Sequence, residues 1–135
     1  MISSVHDNLL VSYEVHCEKR TITLRTEHRA EKKATEFTNV LFEGVHGYHF
    51  ENDAFGNIIF DVADVSADEF LKENGGGISE LRRMTGQPAW AEDLRAAPQY
   101  MSEHGITAFV LSSSLGLSGW ILAKKMSIFP VSTLS

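Results

Sequence analysis

An α+β domain on a mainly antiparallel sheet is the fold class this sequence of 135 residues predicts, on three observations. Apolar and polar residues alternate with period two over the first sixty residues. The period breaks at Ser66, where a capping sequence opens a stretch punctuated by Gly and Pro. Alternation of β-branched and aromatic residues returns after Gly105. The order strands, helices, strands predicts about six to seven strands, with a helical insert over about residues 66–104 between the fifth strand and a C-terminal hairpin.

Each element has its own signal. Val11, Tyr13, Val15 and Cys17 fall on one face of a first strand, opposite Ser12, Glu14 and His16. Glu18-Lys19-Arg20 turns the chain into a second strand with Ile22 and Leu24 inward and Thr21, Thr23 and Arg25 outward, a hairpin. Phe37 to Phe42 is a third strand, and Tyr48 and Phe50 share a face of a fourth, bracketed by Gly44 and Gly47. Asn52-Asp53 and Gly56-Asn57 are turn residues suited to positive φ, and Ile58 to Val62 is apolar enough for a central strand. Ser66-Ala67-Asp68-Glu69 fits a capping box, with Ser66 accepting from the Glu69 N–H and the Glu69 carboxylate reaching back. Asn74-Gly75-Gly76-Gly77 is expected to end that helix, with Ile78 to Met84 adding a further turn. Pro88 suits the start of another helix carrying Trp90 and Leu94, Pro98 restarts it, and Gly105 closes it. Ile106 to Leu111 and Trp120 to Phe129 then form the closing hairpin, with one sheet face under the helices and the other left to solvent or a partner.

Composition bounds the function. At 43% hydrophobic and 22% charged, residues 1–135 read as one soluble domain. A chain of this length buries roughly two-thirds of its unfolded surface and needs neither disulfide nor metal to fold. Cys17 is the sole cysteine, and its place on an apolar strand face predicts a buried thiol. The first four residues show no secretory pattern, which predicts a cytoplasmic protein. Ser118, Lys124 and Lys125 interrupt the apolar C-terminal region before it reaches the ~18 residues of a membrane span. The net charge of −6 argues against a nucleic-acid binder. Residues 51 to 73 hold seven acids against one base, Lys72, while the rest of the chain is balanced. The charge excess therefore lies in one short segment.

Signals for chemistry are sparse. His46 and His49 would point to opposite faces of a strand, so their spacing does not chelate, and no zinc pattern of Cys and His exists. No metal or cofactor is expected. His6-Asp7, and His49 with Asp53 or Asp61, have the composition of acid/base pairs, but no nucleophile motif accompanies them. Leu115-Gly116-Leu117-Ser118-Gly119 sets its serine one place off a nucleophile elbow and reads as a hairpin loop. The Gly75-Gly76-Gly77 run follows a helix rather than a strand, the wrong context for phosphate. Arg25, Arg29, Lys32 and Lys33 are diluted by Glu27, Glu31 and Glu36. No catalytic residue is assigned, and an enzyme is not the preferred expectation.

His6-Asp7-Asn8-x-Leu10, Thr21-Ile22-Thr23-Leu24, Phe42-Glu43-Gly44-Val45-x-Gly47-Tyr48-x-Phe50 and Gly56-Asn57-Ile58-Ile59-Phe60-Asp61 resemble a group of small, functionally uncharacterised bacterial proteins, over about residues 5–73. Similar small α+β proteins are encoded beside polymorphic toxins as their immunity partners. The resemblance implies a bacterial immunity protein that binds a toxin. With the acidic segment, the expectation is a non-enzymatic inhibitor that covers a basic toxin through Tyr48, Glu51, Asp53, Asp61, Asp64, Asp68 and Glu69. Two alternatives stand beside it: a small-ligand or hydrolytic site near His46, His49, Tyr48 and Asp61, and a structural homo-oligomer that pairs sheet edges.

Overall fold

The computed structural model describes residues 5–29, 34–86 and 93–131. Five strands come first: β1 Leu9–His16, β2 Thr21–His28, β3 Glu36–Glu43, β4 Gly47–Glu51 and β5 Asn57–Val65. The insert holds α1 Ala67–Thr85, a 3-10 turn Leu94–Ala96 and α2 Ala97–Glu103; β6 Thr107–Leu115, β7 Ser118–Ala123 and β8 Lys125–Val131 follow. The pairings are antiparallel, in one sheet of order β4-β7-β6-β5-β1-β2-β3-β8. The α+β class, the helical insert after the fifth strand and the closing hairpin agree with the sequence. The stretch from Trp120 to Phe129 is bent into two strands at Lys124, whose N–H donates to the carbonyls of Glu43 and Gly44 at 3.0 and 3.2 Å. The expected helix start around Pro88 and Trp90 lies outside the described residues.

β3 runs on into β4 across Gly44–His46, and β7 into β8 across Lys124, so the β3–β8 and β4–β7 ladders form one ribbon with a corner. The two ends of the strand order meet there, and the twisted sheet rolls into a closed wall. Gly44 adopts φ 63 at the corner, where a Cβ would stand 2.8 Å from the Lys124 side chain. Inside the wall, Leu10, Ile22, Leu24, Val40, Phe42, Ile59, Phe109, Leu111 and Ile121 form the main core. Alternate residues of β6 and β7 point outward: Ala108, Trp120 and Leu122 pack under Phe70, Ile78 and Met101 of the helices in a second core.

Rolling corrects one expectation. The apolar sheet face, expected to lie under the helices, instead packs against itself as the interior. The helices cover only the outer side of β6 and β7, while Thr21, Thr23 and Arg25 face outward, between buried Ile22 and Leu24. Cys17 is exposed, not buried, because β1 ends at His16 and the thiol falls in the turn, where Arg20 takes φ 56.

Gly75-Gly76-Gly77 does not end α1, which continues through it for a total of 19 residues. Three glycines cost about 1 kcal/mol each against alanine in an isolated helix, so packing must hold the run together. Phe70 and Ile78 are buried on either side of it, and Gly75 packs against Leu94, 3.3 Å from where its Cβ would lie. Ser66 Oγ accepts from the Glu69 N–H at 3.1 Å, half of the expected capping box; the reciprocal bond from the Glu69 carboxylate is absent among the described residues. The helix ends at Gly86, with φ 77 and its N–H bound to the Arg82 carbonyl at 2.8 Å. Gly105, with φ 65, closes the helical section as expected.

The wall is thinnest beside β1, which pairs with β5 only at Leu9–Ile58 and Leu10–Asn57. A bulge between Leu10 and Ser12 turns β1 away beyond that point, leaving Val11 and Tyr13 partly exposed. The turn between β4 and β5 sits against this gap. Positive φ falls on Asn52 and Phe55, at 65 and 59°, rather than on Gly56 or Asn57. Asn57 is buried and organises the turn. Its Oδ1 accepts from Ala54 N and Leu117 N at 3.0 and 2.8 Å, and its Nδ2 donates to Asp53 Oδ1 at 2.9 Å.

Candidate functional site: an acidic groove beside the first helix

Alternation along β4 sends Tyr48 and Phe50 to one side and His49 and Glu51 to the other. His49 lies opposite Trp120 on β7, with their rings 6.3 Å apart and tilted by 30°. Phe70 from α1 meets the indole edge-on at 5.1 Å, so Trp120 is fixed by one helix and one neighbouring strand. β4 approaches β7 closely because Gly119 has no side chain: a Cβ there would stand 1.9 Å from the His49 carbonyl oxygen.

Glu73, Gly77, Glu80, Leu81 and Met84 recur at helical spacing and form the α1 stripe that faces this ladder. Between stripe and ladder lies a groove of about 390 Å³, floored by Trp120 and Ile78. A second hollow of about 310 Å³ shares His49, Glu51, Glu73, Asn74 and Trp120, and extends toward the hydroxyls of Ser112 and Ser118. His49 Nε2 stands 3.7 Å from Glu51, and Glu80 is bound to Arg83. Asn74 Nδ2 donates to the Phe70 carbonyl at 3.1 Å, which leaves its Oδ1 toward other donors. No lysine or arginine lines either hollow among the described residues.

The residues singled out by sequence separate into distinct places. Glu51 and His49 belong to the groove. Tyr48 lies across β4, in a shallow hollow with Val15, His16 and Cys17, and its ring is 5.4 Å from Phe50. His46 sits before β4 against Tyr100 and His104, at 6.3 and 6.2 Å. Burial lowers its pKa, with further lowering from the charges of Lys124 and Arg20. Asp61 pairs with Ser112 on the outer side of β5, whereas Asp64 pairs with Phe109, whose side chain points inward. Those two carboxylates thus occupy opposite sides of the strand, both exposed. Asp68 and Glu69 stand in the first turn of α1, complementing the positive end of its dipole. Asp53 accepts from Asn57, the Phe55 N–H and the Tyr13 hydroxyl, and these bonds hold its pKa below the ordinary value.

The proposed cluster of His46, His49, Tyr48 and Asp61 is therefore not assembled. His49 pairs with Glu51, not with Asp53 or Asp61. His6 and Asp7 are 3.4 Å apart on the surface. Among the described residues no group of three or more His, Cys, Asp or Glu is placed to hold a metal, and no helix is long and apolar enough to cross a membrane. Trp120, Glu73, Asn74 and Gly77 were not singled out from sequence as site residues. A continuous helix over 67–85 would have exposed their stripe, but the glycine run hid it. Lys32 and Lys33 of the diluted basic cluster lie outside the described residues.

Comparison with protein-family models, curated proteins and solved structures returned no match.

Proposed function

We propose that this chain is a non-enzymatic binding domain that recognises a basic protein, in the manner of an immunity-type inhibitor that occludes a toxin. The observation that carries this reading is a field of unneutralised carboxylate. Asp61, Asp64, Asp68, Glu69 and Glu73 are all exposed, and none makes an ion pair among the described residues. Asp68, Glu69 and Glu73 share α1, and Asp61 and Asp64 precede it on the two sides of β5; carboxylates without counter-charges attract a cationic partner and steer it toward them. The acids run from β5 through the first half of α1 and reach the groove at Glu73. The test is salt-dependent capture of a basic protein by the tagged chain, compared with a variant carrying Asp61→Asn, Asp64→Asn and Asp68→Asn.

Pairing of sheet edges between copies receives less support. β8 carries Lys125 and Pro130 along its length, two residues that blunt strand addition.

A further inference from the structure

The groove beside α1 differs from the acidic surface around it in having a built interior. Trp120 forms an aromatic floor, held by Phe70 and paired with His49. Leu81 and Met84 stand on the helix flank as apolar walls, with 47% and 70% of their surface exposed. Two carboxylates, Glu51 and Glu73, reach the groove without an arginine or lysine partner among the described residues, whereas Glu80 is already bound to Arg83. Asn74 Oδ1 and the serine hydroxyls add further acceptors. The lining thus offers an aromatic face, an apolar flank and acceptors, and lacks a lysine or arginine among the described residues.

We propose that this groove receives an arginine side chain of the basic partner, with its guanidinium against the Trp120 indole and among the carboxylates of Glu51 and Glu73. This rests on the reading of the domain as a binder of basic proteins. Three features match that chemistry. A guanidinium is planar and weakly hydrated, so it stacks on an indole while its edge donates to carboxylates. Its three-methylene stem covers apolar surface such as Leu81 and Met84. A groove of about 390 Å³ exceeds the volume of one such side chain, which leaves room for the partner's neighbouring backbone. A lysine ammonium would find the same charge, but it holds its water more tightly and makes no planar contact.

The experiment is a titration of the full-length 15N-labelled chain by NMR, using N-acetyl-arginine amide, the uncharged isostere N-acetyl-citrulline amide, and N-acetyl-lysine amide. The Trp120 indole signal is assigned with Trp120→Phe. Saturable shifts centred on Trp120, Glu73 and Gly77 are expected with the arginine amide, and binding about tenfold weaker with citrulline. Glu73→Gln should weaken it severalfold. Gly77→Gln should abolish it by filling the groove, since a Cβ at Gly77 meets nothing within 4 Å and the helix accepts the side chain. Unchanged far-ultraviolet circular dichroism confirms that both variants fold. Absence of saturable shifts, equal binding of citrulline, equal binding of lysine, or undiminished binding by Gly77→Gln each overturns the assignment. If arginine amide fails while a basic protein is captured through Asp61, Asp64 and Asp68, the groove is overturned and the binding reading survives. If arginine amide binds and no basic protein is captured, the guanidinium site stands and the protein partner is removed.

Discussion

Tyr13 donates its hydroxyl to Asp53 Oδ2 at 2.8 Å, across the stretch where β1 has left the side of β5. A side-chain bond thus spans the thin part of the wall that strand pairing leaves open. The same bond raises the Tyr13 pKa above 10.0, and with the bonds from Asn57 and Phe55 lowers that of Asp53 below 3.8. A depressed carboxylate stabilises the fold above its unfolded value, and that contribution is lost as pH falls through the folded value. A raised tyrosine contributes fully below 10.0, and that share is lost as pH rises through its folded value. Tyr13→Phe should therefore flatten both limbs of stability against pH: the alkaline one because the phenol is gone, and the acid one because Asp53, still held by Asn57 and Phe55, is less depressed. Urea unfolding across the pH range reads both limbs.

Gly76 sits in α1 with open space where a Cβ would go, whereas Gly75 meets Leu94 at 3.3 Å. Gly76→Ala should stabilise the protein by about 1 kcal/mol. That corresponds to a rise in thermal midpoint of about 4 °C for a domain of this size. Gly75→Ala should gain less, because Leu94 must move. Thermal unfolding of the two variants beside the parent separates the intrinsic propensity from the packing.

Phe55 is 98% exposed and holds φ 59, so its ring gains no burial to offset a backbone conformation that disfavours a bulky side chain. Phe55→Gly should stabilise the fold by about 1 kcal/mol. Chemical denaturation measures it, with an unchanged dependence on denaturant expected because no buried surface is altered.

Asn57 joins two turns through its carboxamide, and Leu117, whose N–H it accepts, is buried. Asn57→Ala should cost about 2–3 kcal/mol, because it leaves the buried Leu117 N–H unpaired. Hydrogen exchange at the Leu117 amide should accelerate in parallel with the loss of global stability.

Much of the sheet is legible in the sequence, because burial writes a two-residue period directly into β2, where Ile22 and Leu24 are buried and Thr21 and Thr23 are not. The signals at Ser66, whose hydroxyl accepts from the Glu69 N–H, and at Gly105, which takes φ 65 after α2, are equally local. Legibility fails where a distant contact decides. Leu94 packs on Gly75 from 19 positions along the chain, and such packing keeps α1 helical through three glycines whose propensity argues for a break. The closure of the sheet depends on the corner at Gly44 and Lys124, two residues far apart in sequence. The groove inherits both difficulties, since its floor comes from β7, its far wall from β4 and its near wall from the stretch of α1 that the glycine run was expected to break. Glu51 and His49 were found through charge and residue type; Trp120 and Glu73 needed the fold.

The most direct measurement is capture from lysate of the source organism at low and high salt, using the parent chain and the Asp61→Asn, Asp64→Asn, Asp68→Asn variant in parallel, with mass spectrometry of what each retains. All three carboxylates are exposed and make no ion pair among the described residues, so the variant should fold as the parent does. We expect the parent to retain a single basic protein at low salt, to retain less of it at high salt, and to lose it in the variant. Retention of the same protein by the variant at both salt concentrations, or of no basic protein by the parent, would contradict the assignment of the acidic surface as the binding face.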